Sequence, residues 1–392
     1  MLEKSLINKL LSEIKDGSLE ITYWDDSKKT YGSGQPLAKV RIKDKAVGRA
    51  MMRNLSLGAA EAYMHGTLEI EEPIIDVLHI FARNRLSFEK FFSTTASYRR
   101  QINRKHIQKK YIAHHYDLSN DFYKLWLDNE TMAYTCAYFK KPTDTLAQAQ
   151  IQKFDHVLKK LQLKKGQTML DIGCGWGHLL VRGVKKYGAS GLGVTLSEEQ
   201  YKYATALAKK EGVADRAKFE LVNYQELLQR DLQFDRIVSV GILEHVGKAN
   251  YRQYFDVVNK LLTPGGVSVL HTITQQKHLP SDAFLDKYIF PGAYLPVISE
   301  IAALLPEYDF RLTDYESLRL HYSLTLDEWL KGFEAHKKQV IKMFDEEFYR
   351  MWELYLASCS AWFRYGRNDL SQFVFTKGIN NDLPLTREHL YK

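Results

Sequence analysis

The glycine-rich segment "MLDIGCGWG", residues 169–177, has the composition of a nucleotide-binding turn between a predicted strand and a predicted helix. Glycines let the backbone approach a ligand closely, and a helix N-terminus presents unpaired N–H groups. The spacing is G-x-G-x-G, whereas dinucleotide-binding turns have G-x-G-x-x-G. At the strand end, an aspartate can meet an ammonium group, which S-adenosylmethionine has and nicotinamide dinucleotides lack. The segment therefore favours S-adenosylmethionine, with candidate ligands Asp171, Gly173, Gly175 and Gly177.

The next predicted strand ends in "GVTLSEEQ", residues 193–200. Thr195 stands where dinucleotide enzymes usually carry a ribose-binding carboxylate, which again disfavours a nicotinamide dinucleotide. Gln200 has two compatible interpretations. It is a candidate ribose ligand, and it also completes an S-x-x-Q capping box with Ser197.

The segment "MAYTCAYF", residues 132–139, places Cys136 among Tyr134, Tyr138 and Phe139. One interpretation is core packing around a small apolar residue. The other is a site where a cation forms, because aromatic faces stabilise a desolvated cation by ~2 kcal/mol or more. Residue types alone leave both open.

Polar residues also stand just after the fourth predicted strand, as Glu244-His245, and at the end of the fifth, as His271. Ligands of α/β proteins collect at the carboxyl edge of the sheet, where these residues belong. Taken singly, each is commonly structural, as a helix-start carboxylate or a core histidine. The position alone leaves their role open.

The elements that must hold these residues alternate between short strands and amphipathic helices, which predicts an α/β fold with a parallel sheet. We expect a smaller α+β N-terminal domain over residues 1–95, a basic linker and helix over 96–125, and a catalytic domain over 126–392. A lid-like insertion rich in aromatic residues and proline is expected near 275–307. The predicted strands are "TMLDI", "SGLGVTL", "KFELV", "FDRIVSV" and "GVSVLHTI".

Composition limits the class and the compartment. The 392 residues suffice for two domains, and no apolar run approaches the ~18 residues of a membrane-spanning helix. The N-terminus reads as an amphipathic helix without the apolar core of a signal peptide. Three distant cysteines indicate a reducing compartment rather than a disulfide framework. We therefore expect a cytoplasmic protein.

The segment "RRQINRKHIQKK", residues 99–110, contains six Lys and Arg and no acidic residue. It is interpretable as a solvated linker, or as a surface for nucleic acid or an anionic membrane. The N/D-P-P-Y motif of base-flipping methyltransferases is absent from the sequence, so a nucleic-acid partner is not expected.

Together these motifs resemble the cyclopropane-fatty-acyl-phospholipid synthases, which are related to the mycolic acid cyclopropane synthases. The resemblance spans nearly the whole chain. It implies a Rossmann-like class I methyltransferase domain with a mostly parallel seven-stranded sheet. It also implies transfer of a methylene carbon from S-adenosylmethionine to the cis double bond of an acyl chain in a membrane phospholipid. Further matching segments are "HYDLSNDFY" (115–123), "LHTI" (270–273), "YIFPG" (288–292), "HYSLTL" (321–326) and "SCSAWFR" (358–364).

The resemblance also implies a set of ligands. Cofactor contacts would include Tyr134, Thr135 and Leu196, together with Asn223 and Tyr224 after the third strand. The family is expected to have aspartate at position 223, so one adenosine contact differs here. A bound bicarbonate would remove the proton before ring closure, and no metal is implied. The cradle of this bicarbonate would consist of Cys136, Glu244, His271, Ile273 and Tyr322.

Cys359, in a helix crowded with aromatic residues, matches a position sometimes treated as the active-site cysteine of the family. Methyl transfer to an alkene needs no covalent nucleophile, so burial beside an acyl channel is favoured. The N-terminal domain and the basic segment imply peripheral association with an anionic inner membrane surface, and the family implies a homodimer. Three alternatives remain: formation of a methyl branch on a lipid, methylation of a small polar acceptor, and a non-catalytic lipid-binding module.

Overall fold

The computed structural model describes residues 2–71, 73–84, 119–279 and 281–391. Backbone contacts divide the chain into two compact units. The first contains the described residues of 1–100, 279–291 and 323–367, and the second contains the others. Two later segments thus join the N-terminal one, whereas the sequence predicted continuous domains. The basic segment 99–110 lies outside the described residues.

The first unit is an α+β arrangement, as the sequence predicted for a smaller N-terminal domain. Its sheet has the order β2-β1-β3-β4, in which β1 and β3 are parallel and the other neighbours are antiparallel. The strands are β1 Gly17–Thr22, β2 Lys28–Ser33, β3 Leu37–Ile42 and β4 Leu68–Ile70. Its helices include Leu2–Leu11, Ala46–Arg53, Leu55–Met64, Ile74–Arg83, Lys337–Met343 and Glu346–Tyr365.

The second unit contains a seven-stranded sheet of order β10-β11-β9-β8-β5-β6-β7. Five neighbouring strands are parallel, and β11 and β10 add two antiparallel strands at one side. The predicted α/β class with a mostly parallel seven-stranded sheet is confirmed. The strands are β5 Thr168–Ile172, β6 Ser190–Thr195, β7 Ala217–Leu221, β8 Phe234–Val240, β9 Leu262–Gln275, β10 Phe310–Ser317 and β11 Asn368–Lys377.

Both faces of this sheet are covered by apolar side chains. Met169 and Val238 belong to one buried cluster, and their neighbours Leu170 and Ile237 belong to another. Successive side chains of a strand point to opposite faces, so strands buried on both sides read as continuous apolar runs. The helices are Asn120–Lys124, Leu146–Leu161, His178–Tyr187, Glu198–Lys210, Leu243–Val246, Tyr251–Leu261, Ile298–Leu304, Arg319–Ala335 (which extends into the first unit) and Glu388–Tyr391.

The helix Leu146–Leu161 has an unusual buried face. Thr145 and Gln148 form a capping box at its start. Its buried side chains then include four polar residues at helical spacing: Gln150, Lys153, His156 and Lys160. Such residues need partners, and these partners define much of the site described below.

The predicted lid-like insertion near 275–307 is divided between the two units. Residues 279–291 belong to the first unit and contain a π-helical turn, Leu285–Ile289. Residues 292–307 belong to the second unit and contain the helix Ile298–Leu304. A lid function stays a prediction. Within the described part of the chain, no helix combines the length and apolar composition needed to cross a membrane.

Candidate active site

A cavity in the second unit lies at the carboxyl edge of the parallel strands, next to the turn that follows β5. It brings together all of the sequence-predicted cofactor residues except Gly177. The predicted residues that line it are Tyr134, Thr135, Asp171, Gly173, Gly175, Thr195, Leu196, Gln200, Asn223 and Tyr224. Three of their four sequence segments lie at the ends of β5, β6 and β7, which meet because parallel strands end at one edge, and Tyr134 and Thr135 come from the segment before the helix Leu146–Leu161.

The three glycines of the turn have different physical roles. A Cβ at Gly173 would lie 2.0 Å from Cδ1 of Ile242, and one at Gly177 would lie 2.7 Å from Cζ of Phe219. Both glycines are therefore required for packing. At Gly175, which has φ +54°, a Cβ would meet no atom within 4 Å. Gly175 is therefore a lining residue around which a side chain would find open space.

Asp171 presents a buried carboxylate to this cavity. The residue is 2 % exposed, and its Oδ2 has no hydrogen-bond partner among the described residues. Burial raises the pKa of Asp171 to about 7, while the nearby Lys153 opposes the rise. A buried carboxylate with one unpartnered oxygen is suited to bind the ammonium group of a ligand.

Gln200 is not the second half of a capping box. The Ser197 hydroxyl accepts from the Gln200 backbone N–H at 3.4 Å, which is the first half of that motif. The Gln200 side chain does not return to the Ser197 backbone. Its Oε1 accepts from the Thr195 hydroxyl at 2.9 Å, and both residues line the cavity. Gln200 thus lines the cavity, as its predicted role as a ribose ligand requires.

Asn223 lines the cavity while capping the 3₁₀ turn Tyr224–Gln229. Its side-chain oxygen accepts from the Gln225 N–H at 3.0 Å, and its own N–H donates to Glu226 at 3.3 Å. An asparagine thus performs the local capping function that an aspartate would also perform.

Lys153 is a lining residue that the sequence interpretation missed. It is 2 % exposed, and its Nζ donates to the Thr135 hydroxyl at 2.9 Å. The signal was available in the sequence. Lys153 lies three residues after Gln150 and four before Val157, on the helix face that periodicity assigns to the core. Trp176, His178 and His245 also line the cavity and were not predicted as cofactor residues.

Glu244 begins the short helix after β8 and is 6 % exposed. Its Oε1 accepts from the backbone N–H of Ile273 at 2.6 Å, and its Oε2 has no hydrogen-bond partner among the described residues. Burial raises the pKa of Glu244 to about 6, against the opposing effect of the Ile273 N–H. The resemblance assigned this N–H to an anion, but here it positions Glu244.

His271 lies on β9 opposite Gln372 of β11. The Gln372 amide nitrogen is 3.0 Å from Nδ1, which therefore accepts, and the neutral ring carries its hydrogen on Nε2. Burial lowers the pKa of His271 well below its usual range. The buried Nε2 has no partner among the described residues, so it is a free N–H donor at the carboxyl end of β9.

Cys136 is fully buried next to the same strand ends. Its thiol donates to the carbonyl of Ala137 at 3.2 Å and approaches the carbonyl of Leu318 at 4.0 Å. Leu318 in turn bonds to Leu370, which pairs with Ile273. Tyr322 is half-buried in the first turn of the helix Arg319–Ala335. Cys136, Glu244 and His271 are not among the residues that line the cavity, although Thr135, His245 and Gly241 beside them are.

The aromatic residues around Cys136 do not form one group. Tyr134 lines the cavity, and its ring packs against Tyr123 and Trp126 at centroid distances of 5.6 and 5.3 Å. Tyr138 instead stacks with the rings of His156 and His321, at 4.1 and 4.8 Å.

Phe139 packs in a small buried cluster with Ala137 and Ala149. Of the three aromatic residues of this segment, Tyr134 is the one that lines the described cavity.

Cys359 belongs to the first unit, on the helix Glu346–Tyr365. Burial raises the pKa of its thiol to about 12, and the carboxylate of Asp282 contributes. A thiol held in its protonated form is a weak nucleophile. This agrees with a chemistry that needs no covalent cysteine, and any other role of Cys359 stays a prediction.

The fold and the cavity define a class of protein. A glycine turn after the first strand of a seven-stranded, mostly parallel sheet, next to a cavity with an unpartnered carboxylate, is the arrangement of the Rossmann-like class I methyltransferases. The mycolic acid cyclopropane synthetase family matches residues 103–373. The chain belongs to this family. A domain of unknown function matches residues 6–91.

Alignments with curated relatives cover nearly the whole chain. It is 37% identical over 365 residues to the cyclopropane-fatty-acyl-phospholipid synthase of Escherichia coli, covering 91% of this chain and 92% of that protein. It is 36% identical over 386 residues to a probable fatty acid methyltransferase of Pseudomonas putida, covering 95% and 96%. A mycolic acid cyclopropane synthase solved with S-adenosylhomocysteine and CTAB is similar with a TM-score of 0.64 and 36% identity, covering 71% of this chain and 100% of that one.

The different environments of the turn glycines lead to a test of the cofactor position. Gly175→Ala should weaken S-adenosylhomocysteine binding at least tenfold in calorimetry, because the new methyl group enters the cavity. Alanine is strained at this positive φ, so stability should also fall, by ~1–2 kcal/mol. Gly177→Ala is the matched control, because Gly177 does not line the cavity and its clash with Phe219 should destabilise the fold by ~1–3 kcal/mol. Unchanged affinity in a folded Gly175→Ala protein would contradict the placement.

Proposed function

We propose that this protein transfers a methylene carbon from S-adenosylmethionine to the cis double bond of an unsaturated acyl chain in a membrane phospholipid, giving a cyclopropane fatty acid. The observation that carries the proposal is the match to the E. coli phospholipid synthase, which covers 91% of this chain. Mycolic acid synthases match only 67% of it. The longer match supports a phospholipid substrate.

The chemistry explains why the site combines few polar groups with deep burial. S-adenosylmethionine supplies the carbon as an electrophilic methyl group. An alkene is a poor nucleophile, so the enzyme must hold it in line with that group. Methyl addition leaves a positive charge on the other alkene carbon, which water would intercept. Tyr134, 9 % exposed and backed by two further rings, supports a dry environment beside the cavity.

A proton must then leave the added methyl group so that the ring closes. We propose that Glu244 and His271 hold a bicarbonate that accepts this proton. The free Oε2 of Glu244 is an acceptor and the free Nε2–H of His271 is a donor. An anion that carries one hydrogen of its own matches this pair. The buried thiol of Cys136 donates to the Ala137 carbonyl and would have to turn from it to hold the anion, while Ile273 fixes the orientation of Glu244.

One observation favours a second candidate, a methyltransferase for a small polar acceptor. Cys136, Glu244 and His271 lie beside the described cavity without lining it. Such an enzyme would need a base near the cofactor but no long apolar channel. A methyl branch on the lipid without ring closure is a related outcome. Product analysis separates these candidates.

The first test is therefore lipid mass spectrometry. Incubation with vesicles of cis-unsaturated phospholipid and S-adenosylmethionine should add one CH₂ per modified acyl chain, with loss of the olefinic signal in NMR. Saturated phospholipid is the control and should remain unmodified. Methylation of the head group, with the olefinic signal retained, would instead support the small-acceptor enzyme.

The second test concerns the anion. Glu244→Ala should reduce turnover about a hundredfold, because loss of one positioned group at a charged site costs ~3 kcal/mol. Cys136→Ser should be milder, since a hydroxyl still donates. S-adenosylhomocysteine affinity should remain unchanged in both variants. Depleting bicarbonate should lower the wild-type rate, and restoring it should recover the rate.

The pH profile provides the control for this test. Glu244 must be ionised to accept a hydrogen bond from both Ile273 and the anion, so kcat/KM should fall as the pH drops below about 6. Bicarbonate concentration is held constant in this measurement. Glu244→Gln should remove this acidic limb. Full activity without bicarbonate, or a Cys136→Ala variant that behaves as wild type, would return Cys136 to a packing role.

We propose further that the enzyme is a cytoplasmic homodimer which associates with the inner membrane surface through the segment 99–110. Each Lys or Arg near an anionic surface contributes ~1 kcal/mol, and salt screens this term. Glutamine at Arg99, Arg100, Arg104 and Lys105 should weaken vesicle sedimentation and flatten its salt dependence. Binding of S-adenosylhomocysteine is the control and should not change. If vesicle binding is unchanged by these substitutions, the segment is only a solvated linker.

A further inference from the structure

Two buried lysines on one helix of the second unit have different partners. Lys153 and Lys160 are each 2 % exposed, and they lie seven residues apart on Leu146–Leu161. Lys160 Nζ is 2.5 Å from Glu316 Oε2 and 3.6 Å from Asp314 Oδ2. The chain thus provides this ammonium group with carboxylates, as burial of a charge requires.

Lys153 lacks such a partner. Its Nζ has the Thr135 hydroxyl at 2.9 Å and the Phe154 ring centroid at 4.0 Å, and no carboxylate of the described residues forms a salt bridge with it. An ammonium group has three N–H donors, so the described hydrogen bond uses only one. Burial lowers the pKa of Lys153 to about 8, against the opposing charges of Cys136, Asp128 and Asp171. The chain leaves this cation incompletely compensated.

The same cavity also contains a buried anionic side chain that is not fully hydrogen-bonded. Asp171 is buried with an unpartnered Oδ2, and it also lines the cavity. The two charges do not form a salt bridge with each other, and the coupling between them is only longer-range. One unpaired cation and one unpaired anion in a single cavity match a zwitterion with both charges on one small group. An α-amino acid is such a group, and S-adenosylmethionine contains one.

We infer that Lys153, together with the Thr135 hydroxyl that it holds, binds the α-carboxylate of the cofactor, while Asp171 binds its ammonium group. This assignment rests on the proposed use of S-adenosylmethionine in this cavity. It gives the helix Leu146–Leu161 a direct function in cofactor recognition. Gln150, one turn earlier, fixes the same segment by donating to the carbonyls of Ala133 and Thr135 at 3.3 and 2.8 Å.

A bound bicarbonate is the other carboxylate-like anion that a lysine here would attract. The position of Lys153 favours the cofactor, because Lys153 lines the cavity that contains Asp171 and the glycine turn. His271, Glu244 and Cys136 do not line it. The cofactor carboxylate is covalently linked to adenosine, whereas bicarbonate is a separate ion. Ligands with and without the amino-acid portion therefore distinguish the two.

The experiment compares S-adenosylhomocysteine with 5′-methylthioadenosine, which has the adenosine and the sulfur but no amino-acid portion. Calorimetry is performed in bicarbonate-free buffer on the wild type, Lys153→Met and Lys160→Met. Lys153→Met should bind S-adenosylhomocysteine about 10- to 100-fold more weakly, the usual effect of losing a hydrogen bond to a charged group. Its affinity for 5′-methylthioadenosine should stay within about twofold of wild type. Lys160→Met should lower the melting temperature without changing the ratio of the two affinities.

The outcomes are distinguishable. If the wild type binds neither ligand, the proposed cofactor site itself is wrong, and the inference falls with it. If the wild type binds and Lys153→Met loses both ligands equally, Lys153 only maintains the structure. If the ratio is unchanged and the bicarbonate concentration for half-maximal activity rises in Lys153→Met, the lysine serves the bicarbonate. Each of these results would overturn the assignment.

Discussion

Burial of ionisable groups without protein partners is the constraint on which the catalytic unit depends. Removing a carboxylate or an ammonium group from water costs several kcal/mol unless another group compensates it. Asp171, Lys153 and Glu244 all bear this cost, and their pKa values move in the direction that burial dictates. Each has at least one polar atom or donor left unused by the described residues. The free energy lost in folding becomes available when a ligand of matching charge enters.

The rest of the unit keeps these groups in place despite that cost. The parallel strands are covered on both faces by apolar clusters, and hydrogen bonds from neighbouring strand ends fix the polar residues. The N–H of Ile273 holds one oxygen of Glu244, and Gln372 holds one nitrogen of His271. In both cases one polar atom of the side chain is held and the second has no hydrogen-bond partner among the described residues. Preorganised groups of this kind need little rearrangement during a reaction.

The sequence predicted the fold and most of the cavity because both depend on local patterns. Alternating strands and helices gave the sheet, and β5 and β8 begin and end where predicted. The glycine turn and Thr195 are likewise local signals. Lys153 was missed because its significance is tertiary: the sequence shows a lysine at a core-facing position, but not that no described carboxylate forms a salt bridge with it.

The same limit applies to contacts between residues that are far apart in the sequence. No spacing in the sequence indicated that Ile273 would hold Glu244, or that Tyr138 would stack with His156 and His321. The two antiparallel strands came from family resemblance rather than from periodicity. The division of the insertion near 275–307 between two units also depends on long-range packing.

The placement of charge follows from the reaction that the family performs. A cation that forms on an acyl chain must meet neither water nor a strong nucleophile, because either would trap it. A directly placed glutamate carboxylate would form an ester with it. Glu244 is instead held by Ile273 beside the cavity and not on its wall. In the proposed mechanism, a bicarbonate between this carboxylate and the substrate would accept the proton without remaining bonded to carbon. The position of Glu244 beside the cavity, which by itself favours a small polar acceptor, is therefore also compatible with carbocation chemistry.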